Sequence, residues 1–117
     1  MARSDQECIF CRIVRGEIPG ERVFEDEAVV AFRDIQPAAP THVLIVPREH
    51  ITSVSELNDD DAAIAGALLL AARKVAAQEG LVADGYRVIT NTGEWGGQTV
   101  DHLHLHVLGG RKLGALG

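Results

Sequence analysis

His102, His104 and His106 stand two apart in the run D-H-L-H-L-H-V-L, with Leu103, Leu105 and Val107 as the alternate residues. In an extended strand successive side chains point to opposite faces, so the imidazoles share one face and the aliphatics the other. Burying the aliphatic face fixes the register and turns the histidines towards a cleft. The preceding stretch, G-E-W-G-G-Q-T-V, is rich in glycine over residues 93–97. Such a loop lets backbone N–H groups approach an anion closely, and Gln98 and Thr99 add side-chain donors. Three clustered imidazoles depress one another's pKa, and neutral imidazole is the nucleophilic form. Imidazole beside an anion-cradling loop points to chemistry at phosphorus. Attack by a ring nitrogen gives a phosphoramide-type covalent intermediate that water then hydrolyses. Two other readings stand beside it. Alternating histidines can present ligands to zinc, or they can form a polar, solubilising face. The metal reading leaves the glycine loop without a role. Five histidines, three of them in alternation, argue against a merely polar face.

These residues need a scaffold, and the chain offers one. Residues 8–16, C-I-F-C-R-I-V-R-G, carry Ile9, Phe10, Ile13 and Val14 on one side, the pattern of a short helix stopped by Gly16. Pro19-Gly20 marks a turn. Residues 22–25 and 28–33 read as a hairpin around Asp26-Glu27. Residues 34–40, with Pro37 and Pro40, form a loop, and 41–46 form a central strand buried on both faces and ended by Pro47. Asn58 caps a long helix. Asp59, Asp60 and Asp61 crowd its positive end, Arg73 and Lys74 lie nearer its C-terminus, and Gly80 closes it. Ile64, Leu68, Ala71 and Val75 make the stripe that covers the sheet. Residues 86–91 and 100–108 supply two more strands. The expected class is α+β: an antiparallel sheet of about five strands with one long and one short helix on one side.

A chain of 117 residues forms a single domain over 1–117, with residues 1–7 polar and loose at the N-terminus. A net charge of −6 offers no basic stripe for a nucleic-acid backbone, so any phosphate site must be local. The N-terminus lacks the apolar run of a signal peptide and no stretch reaches the length of a membrane span, so a cytoplasmic protein is expected. Cys8 and Cys11 are then expected to be reduced. Their C-x-x-C spacing admits redox, zinc and plain-core readings, and the redox reading lacks its β-α-β context.

The H-L-H-L-H-V-L run resembles the signature of the histidine triad, or HIT, superfamily. The likeness extends through C-I-F-C-R-I-V-R-G-E-I-P, F-R-D-I, P-T-H-V-L-I-V-P-R-E-H-I and N-T-G-E-W-G-G-Q-T-V-D-H-L-H-L-H-V-L-G-G-R. Four ordered blocks are far more specific than the triad alone. G-G-Q-T-V with L-G-G-R after the triad is most similar to the Hint branch, whose members hydrolyse purine nucleoside 5′-phosphoramidates. The resemblance implies a HIT-like fold, a homodimer whose sheet continues across both subunits, a purine nucleotide substrate and no cofactor for catalysis. It also implies roles. His104 would be the nucleophile and His106 would touch the α-phosphate oxygens. The His102 carbonyl would fix the tautomer of His104, and His42 would support the triad. Thr99, where the family usually has serine, would bond the phosphate or assist the leaving amine. Asn91 and the backbone of Gly97 and Gln98 would complete the phosphate site. Asp34 would hold the ribose hydroxyls, although as a residue it also suits a loop cap. Phe10, Ile18, Phe32 and Ile35 would form the slot for the base, although each also suits the core. Bacterial members beginning C-I-F-C implicate Cys8, Cys11, His50 and His102 as a structural zinc set, the alternative being two buried thiols and a surface His50. Two features depart from the pattern. Trp95 stands in the glycine loop, where it could gate the site or meet a subunit, and the chain ends R-K-L-G-A-L-G without a tryptophan-containing tail, which leaves leaving-group preference open. A dinucleoside polyphosphate hydrolase of the Fhit type, a nucleotide-binding adaptor and a zinc protein whose triad is purely structural are the rival readings.

Overall fold

The computed structural model describes residue 3 and residues 5–116. Helix α1 (Ile9–Val14) leads into the hairpin β1 (Arg22–Glu25) and β2 (Val29–Arg33). Strand β3 (Thr41–Pro47), helix α2 (Ala62–Gln78), β4 (Arg87–Ile89) and β5 (Leu105–Gly109) follow. The five strands form one antiparallel sheet in the order β1-β2-β3-β5-β4. Among the described residues no helix is long and apolar enough to cross a membrane.

Alternation along β2 and β3 sorts their side chains into two layers. Val29, Ala31, Val43 and Ile45 join Leu68, Ala71, Ala72 and Val75 of α2 in the larger core, together with Leu103, Leu105 and Val107. Val30, Phe32, Leu44 and Val46 face the other way and pack on Phe10 and Ile13 of α1. The helices therefore lie on opposite faces of the sheet, correcting the expectation that both cover one side. The reason is that β2, like β3, is buried on both faces. The start of the long helix also differs in detail. Asn58 caps a 3-10 turn at Asp59–Asp61 in a reciprocal capping box with Asp61, and the α-helix begins at Ala62.

Of the N-terminal residues expected to be loose, 1, 2 and 4 lie outside the described residues. Arg3 is tied down: its guanidinium bonds Asp61 at 2.7 Å and Glu49 at 2.9 Å, and its carbonyl accepts the His50 N–H.

Strand β5 is shorter than expected, beginning at Leu105 rather than residue 100. Its register with β3 pairs Ile45 with Leu105, so the next matching position would set Leu103 against Pro47. Proline has no N–H to give a ladder. The Leu103 N–H instead donates to the Ile51 carbonyl at 2.6 Å. Residues 102–104 lie outside the ladder, with His102 in a bend, and the Pro47 carbonyl is left free for another donor. That release shapes the site.

Candidate active site

The aliphatic residues of the histidine run sit in the larger core, with Leu103 at 2%, Leu105 at 7% and Val107 at 0% exposure. Their burial turns His102, His104 and His106 to the α1 side of the sheet. Each ring nitrogen there has an assignable role, because a neutral imidazole carries one donor and one acceptor.

His104 Nδ1 lies 2.7 Å from the His102 carbonyl. A carbonyl only accepts, so Nδ1 carries the proton and Nε2 keeps its lone pair. His42 Nδ1 accepts the Ala38 N–H at 3.0 Å, which puts the His42 proton on Nε2. That Nε2 stands 2.9 Å from His106 Nδ1 and donates to it, so His106 bears its own proton on Nε2. One imidazole thus offers a nucleophilic nitrogen and its neighbour offers an N–H. The two rings stand 4.9 Å apart. Burial is the first cause that lowers the pKa of His106, to about 4, with the His104 and His42 charges adding to it. Burial likewise lowers His42, against the opposing pull of Asp34. Both rings are therefore neutral at physiological pH.

A cleft of about 360 Å³ opens in front of His104 and His106. Phe10, Ile18, Phe32, Asp34, Ile35 and Thr99 also line it. Phe10 packs edge-on against both Phe32, at 5.5 Å, and His104, at 5.1 Å. Asp34 does two local jobs. Its Oδ1 accepts the Gln36 N–H at 2.8 Å, and its Oδ2 lies 3.4 Å from His42 Nε2. Ile35 is 94% exposed at the cleft's lip.

Asn91, Gly97 and Gln98 are placed differently, and none of them lines this cleft. The glycine loop is expected to hold its N–H groups open for an anion, yet three of them are engaged within the loop. Gly93 N–H donates to the Gln98 side chain, Gly97 N–H to the Glu94 carbonyl and Gln98 N–H to the Gly93 carbonyl. The Gln98 amide also donates to the Thr52 and Val100 carbonyls, and the Asn91 amide to Gly96. Gly97 holds a φ of +84°, and a Cβ on Gly96 would lie 2.3 Å from the Thr92 carbonyl oxygen, so the glycines serve tightness. The loop is a braced stage that delivers Thr99 to the rim. Trp95 projects from it fully exposed.

Cys8, Cys11, His50 and His102 converge behind the triad, one donor atom from each lying within 4.8 Å of the others. Cys8 Sγ and Cys11 Sγ stand 3.3 and 3.5 Å from His102 Nδ1, and Cys11 Sγ is 3.3 Å from His50 Nδ1. Both cysteines are free of disulfides. His102 Nε2 donates to the released Pro47 carbonyl at 2.9 Å, leaving Nδ1 as a lone pair aimed at the sulfurs. An imidazole whose far nitrogen is held by a carbonyl is the usual form of a metal-ligating histidine. Burial pushes the Cys11 thiol up to about 11, so a cation is what would hold it as thiolate. The donors fit a tetrahedral ion. Asp34, His42 and His106 also cluster, but the His42 proton already occupies the space between those nitrogens. Freeing it would turn His42 Nδ1–H against the Ala38 N–H.

Two supporting groups escape the sequence reading. Thr90 Oγ1 donates to the His104 carbonyl at 2.8 Å, and Ala38 sets the His42 tautomer through its backbone. Neither carries a side-chain type or spacing that marks it.

The sheet, the triad and its cleft define an α+β domain built around a histidine strand. A HIT domain family model matches residues 15–113, and the chain belongs to the HIT family. It is 48% identical over 111 residues to the purine nucleoside phosphoramidase of Escherichia coli (strain K12), covering 95% of this chain and 93% of that protein. Two solved structures are similar throughout. A HIT family hydrolase from Clostridium thermocellum matches with a TM-score of 0.93 and 49% identity, over 97% of this chain and 98% of its own. One from Legionella pneumophila Philadelphia 1 matches at 0.89 and 51%, over 91% and 95%.

Proposed function

We propose that this chain hydrolyses purine nucleoside 5′-phosphoramidates through a nucleotidyl-histidine intermediate. The observation that carries the reading is His104 Nδ1 held at 2.7 Å by the His102 carbonyl, which keeps Nε2 nucleophilic at the mouth of the cleft. The name of the 48% identical relative supports the choice of substrate.

In the first half His104 Nε2 attacks the α-phosphorus and the P–N bond to the amine breaks. The leaving nitrogen takes a proton from solvent by way of the Thr99 hydroxyl on the rim. His106 Nε2–H bonds a phosphate oxygen as charge builds there. In the second half water attacks the same phosphorus, the P–Nε2 bond breaks, and one proton returns to solvent. His104 emerges neutral with its Nδ1–H still on the carbonyl. Phe10, Ile18, Phe32 and Ile35 hold the base, and the carboxylate of Asp34 receives the ribose hydroxyls. Cys8, Cys11, His50 and His102 would hold a zinc ion, which would supply order to the segments they come from and would not touch the substrate.

Homodimers in the cytoplasm complete the reading. Strand β4 lies at the sheet edge, with Tyr86 and Val88 exposed beside it; such an edge is open to pairing. A free thiol pair suits a reducing compartment. The test compares hydrolysis of adenosine 5′-phosphoramidate with that of a diadenosine polyphosphate, using His104→Asn as the blank. Faster phosphoramidate cleavage, abolished in the variant, is the expected result. Preference for the polyphosphate, or full activity in a folded variant, overturns it. A monomer by light scattering at micromolar concentration removes the dimer.

A further inference from the structure

The metal-type cluster and the nucleophile meet in a single residue. His102 is 0% exposed, and both its ring nitrogens are engaged: Nδ1 with the two sulfurs, Nε2 with the Pro47 carbonyl. Its carbonyl is the acceptor that holds His104. Because residues 102–104 lie outside the β5 ladder, the orientation of this carbonyl is not set by strand pairing. The Leu103 N–H of the same peptide plane donates to the carbonyl of Ile51, the residue after His50, so the His102 carbonyl is oriented by where the His102 ring and the His50 segment are tied.

A second connection runs in parallel. Phe10 lies between Cys8 and Cys11 on α1, and its ring packs edge-on against His104 at 5.1 Å and against His102 at 6.0 Å. Helix α1 has six residues, too few to hold a helix by backbone bonds alone. Its first turn is pinned by Cys8, whose sulfur accepts the Cys11 N–H, and by both thiols' place in the cluster. Loosening the thiols therefore frees Phe10 as well.

We propose that the Cys8–Cys11–His50–His102 set is a positioning element for catalysis: with a divalent ion bound, it fixes the tautomer and place of His104 through the His102 carbonyl and the Phe10 ring. His102 is thus a positioning residue whose ring and backbone serve two sites, and His50 acts on the nucleophile from one residue further away. The proposal rests on His104 being the nucleophile.

The test uses the full chain loaded with zinc, stripped by a chelator, and reloaded. Long-range ¹⁵N NMR of the His104 ring reads its tautomer directly, independently of turnover. AMP titration reads nucleotide affinity, and adenosine 5′-phosphoramidate hydrolysis reads rate. On stripping, the single Nδ1–H tautomer of His104 is expected to give way to a mixture. In parallel kcat should fall at least about tenfold, by more than AMP affinity falls, and zinc should restore both. His50→Cys keeps four ligands and is expected to keep tautomer and rate, whereas His50→Ala is expected to lose them. A folded, stripped protein with unchanged tautomer and rate overturns the proposal, as does a protein that takes up no zinc. Should stripping unfold the chain, equal tautomer and rate in His50→Cys and His50→Ala overturn it. A loaded protein with an ordered His104 that nonetheless fails to turn over the phosphoramidate overturns the proposed function and leaves the coupling intact.

Discussion

His42 Nε2 lies 2.9 Å from His106 Nδ1 and donates its proton to it. The bond carries a direction because the Ala38 N–H occupies the other nitrogen of His42. A backbone amide in a loop thereby decides which nitrogen of His106 carries its proton.

His42→Ala removes that direction and lets His106 present either nitrogen. Hydrolysis is expected to slow about ten- to hundredfold. His42→Asn, which can place an amide donor near the same point, should recover part of the loss. Steady-state rates on the phosphoramidate check both. An unchanged rate in the alanine variant removes His42 from the machinery.

Acid should act on the fold through His106. Its pKa is lowered from the ordinary 6.5 to about 4, chiefly by burial. Between those values the unfolded chain binds the proton and the folded chain refuses it, so stability rises with pH across that window. The contribution is complete above 6.5 and is lost progressively as pH falls towards 4. Urea midpoints at neutral pH and at steps down through the window test the sign, and an NMR titration of His106 with a midpoint near 6.5 contradicts it.

Thr99→Val keeps the shape of an exposed rim residue and deletes its hydroxyl. Melting temperature should hold while turnover falls about tenfold. The loss should shrink for leaving groups of low basicity, such as aryl amines, which depart without a proton. Equal losses across a series of amines would place Thr99 on the phosphate instead.

Leu103 is 2% exposed in the larger core, between two histidines with different duties. Leu103→Ala should cost about 2–5 kcal/mol by opening a cavity. Denaturant titration measures it, and a cost below about 1 kcal/mol would mean that the run is held by its histidine face rather than its aliphatic one.

Much of this was readable from the residues. Alternation over 102–107 sorted imidazoles from aliphatics, and Asn58 and Gly80 bracketed the long helix; Gly80 takes a φ of +72°. What escaped depends on partners distant in sequence. The side on which α1 packs follows from Val30 and Phe32 being buried opposite Val29 and Ala31, and a short apolar run does not announce that both its faces are covered. The start of β5 depends on Pro47 falling opposite Leu103, which requires the register first. Gln98 looked like a free donor because its acceptors, the Thr52 and Val100 carbonyls, are backbone atoms with no sequence mark. The Asn91 amide and the Gly97 N–H are likewise engaged on backbone carbonyls, those of Gly96 and Glu94.

The two-layered burial of the sheet has a consequence for breathing motions. Among the described residues, fourteen buried ones hold the α2 layer and six the α1 layer, so the latter is the natural unit of sub-global opening. Phe10 and Phe32 belong to that thinner layer and also line the cleft. A purine seated there adds apolar contact where the protein has least of its own, so hydrogen exchange in α1 should slow on AMP binding while α2 stays almost unchanged. The ligand acts as the last piece of the smaller core.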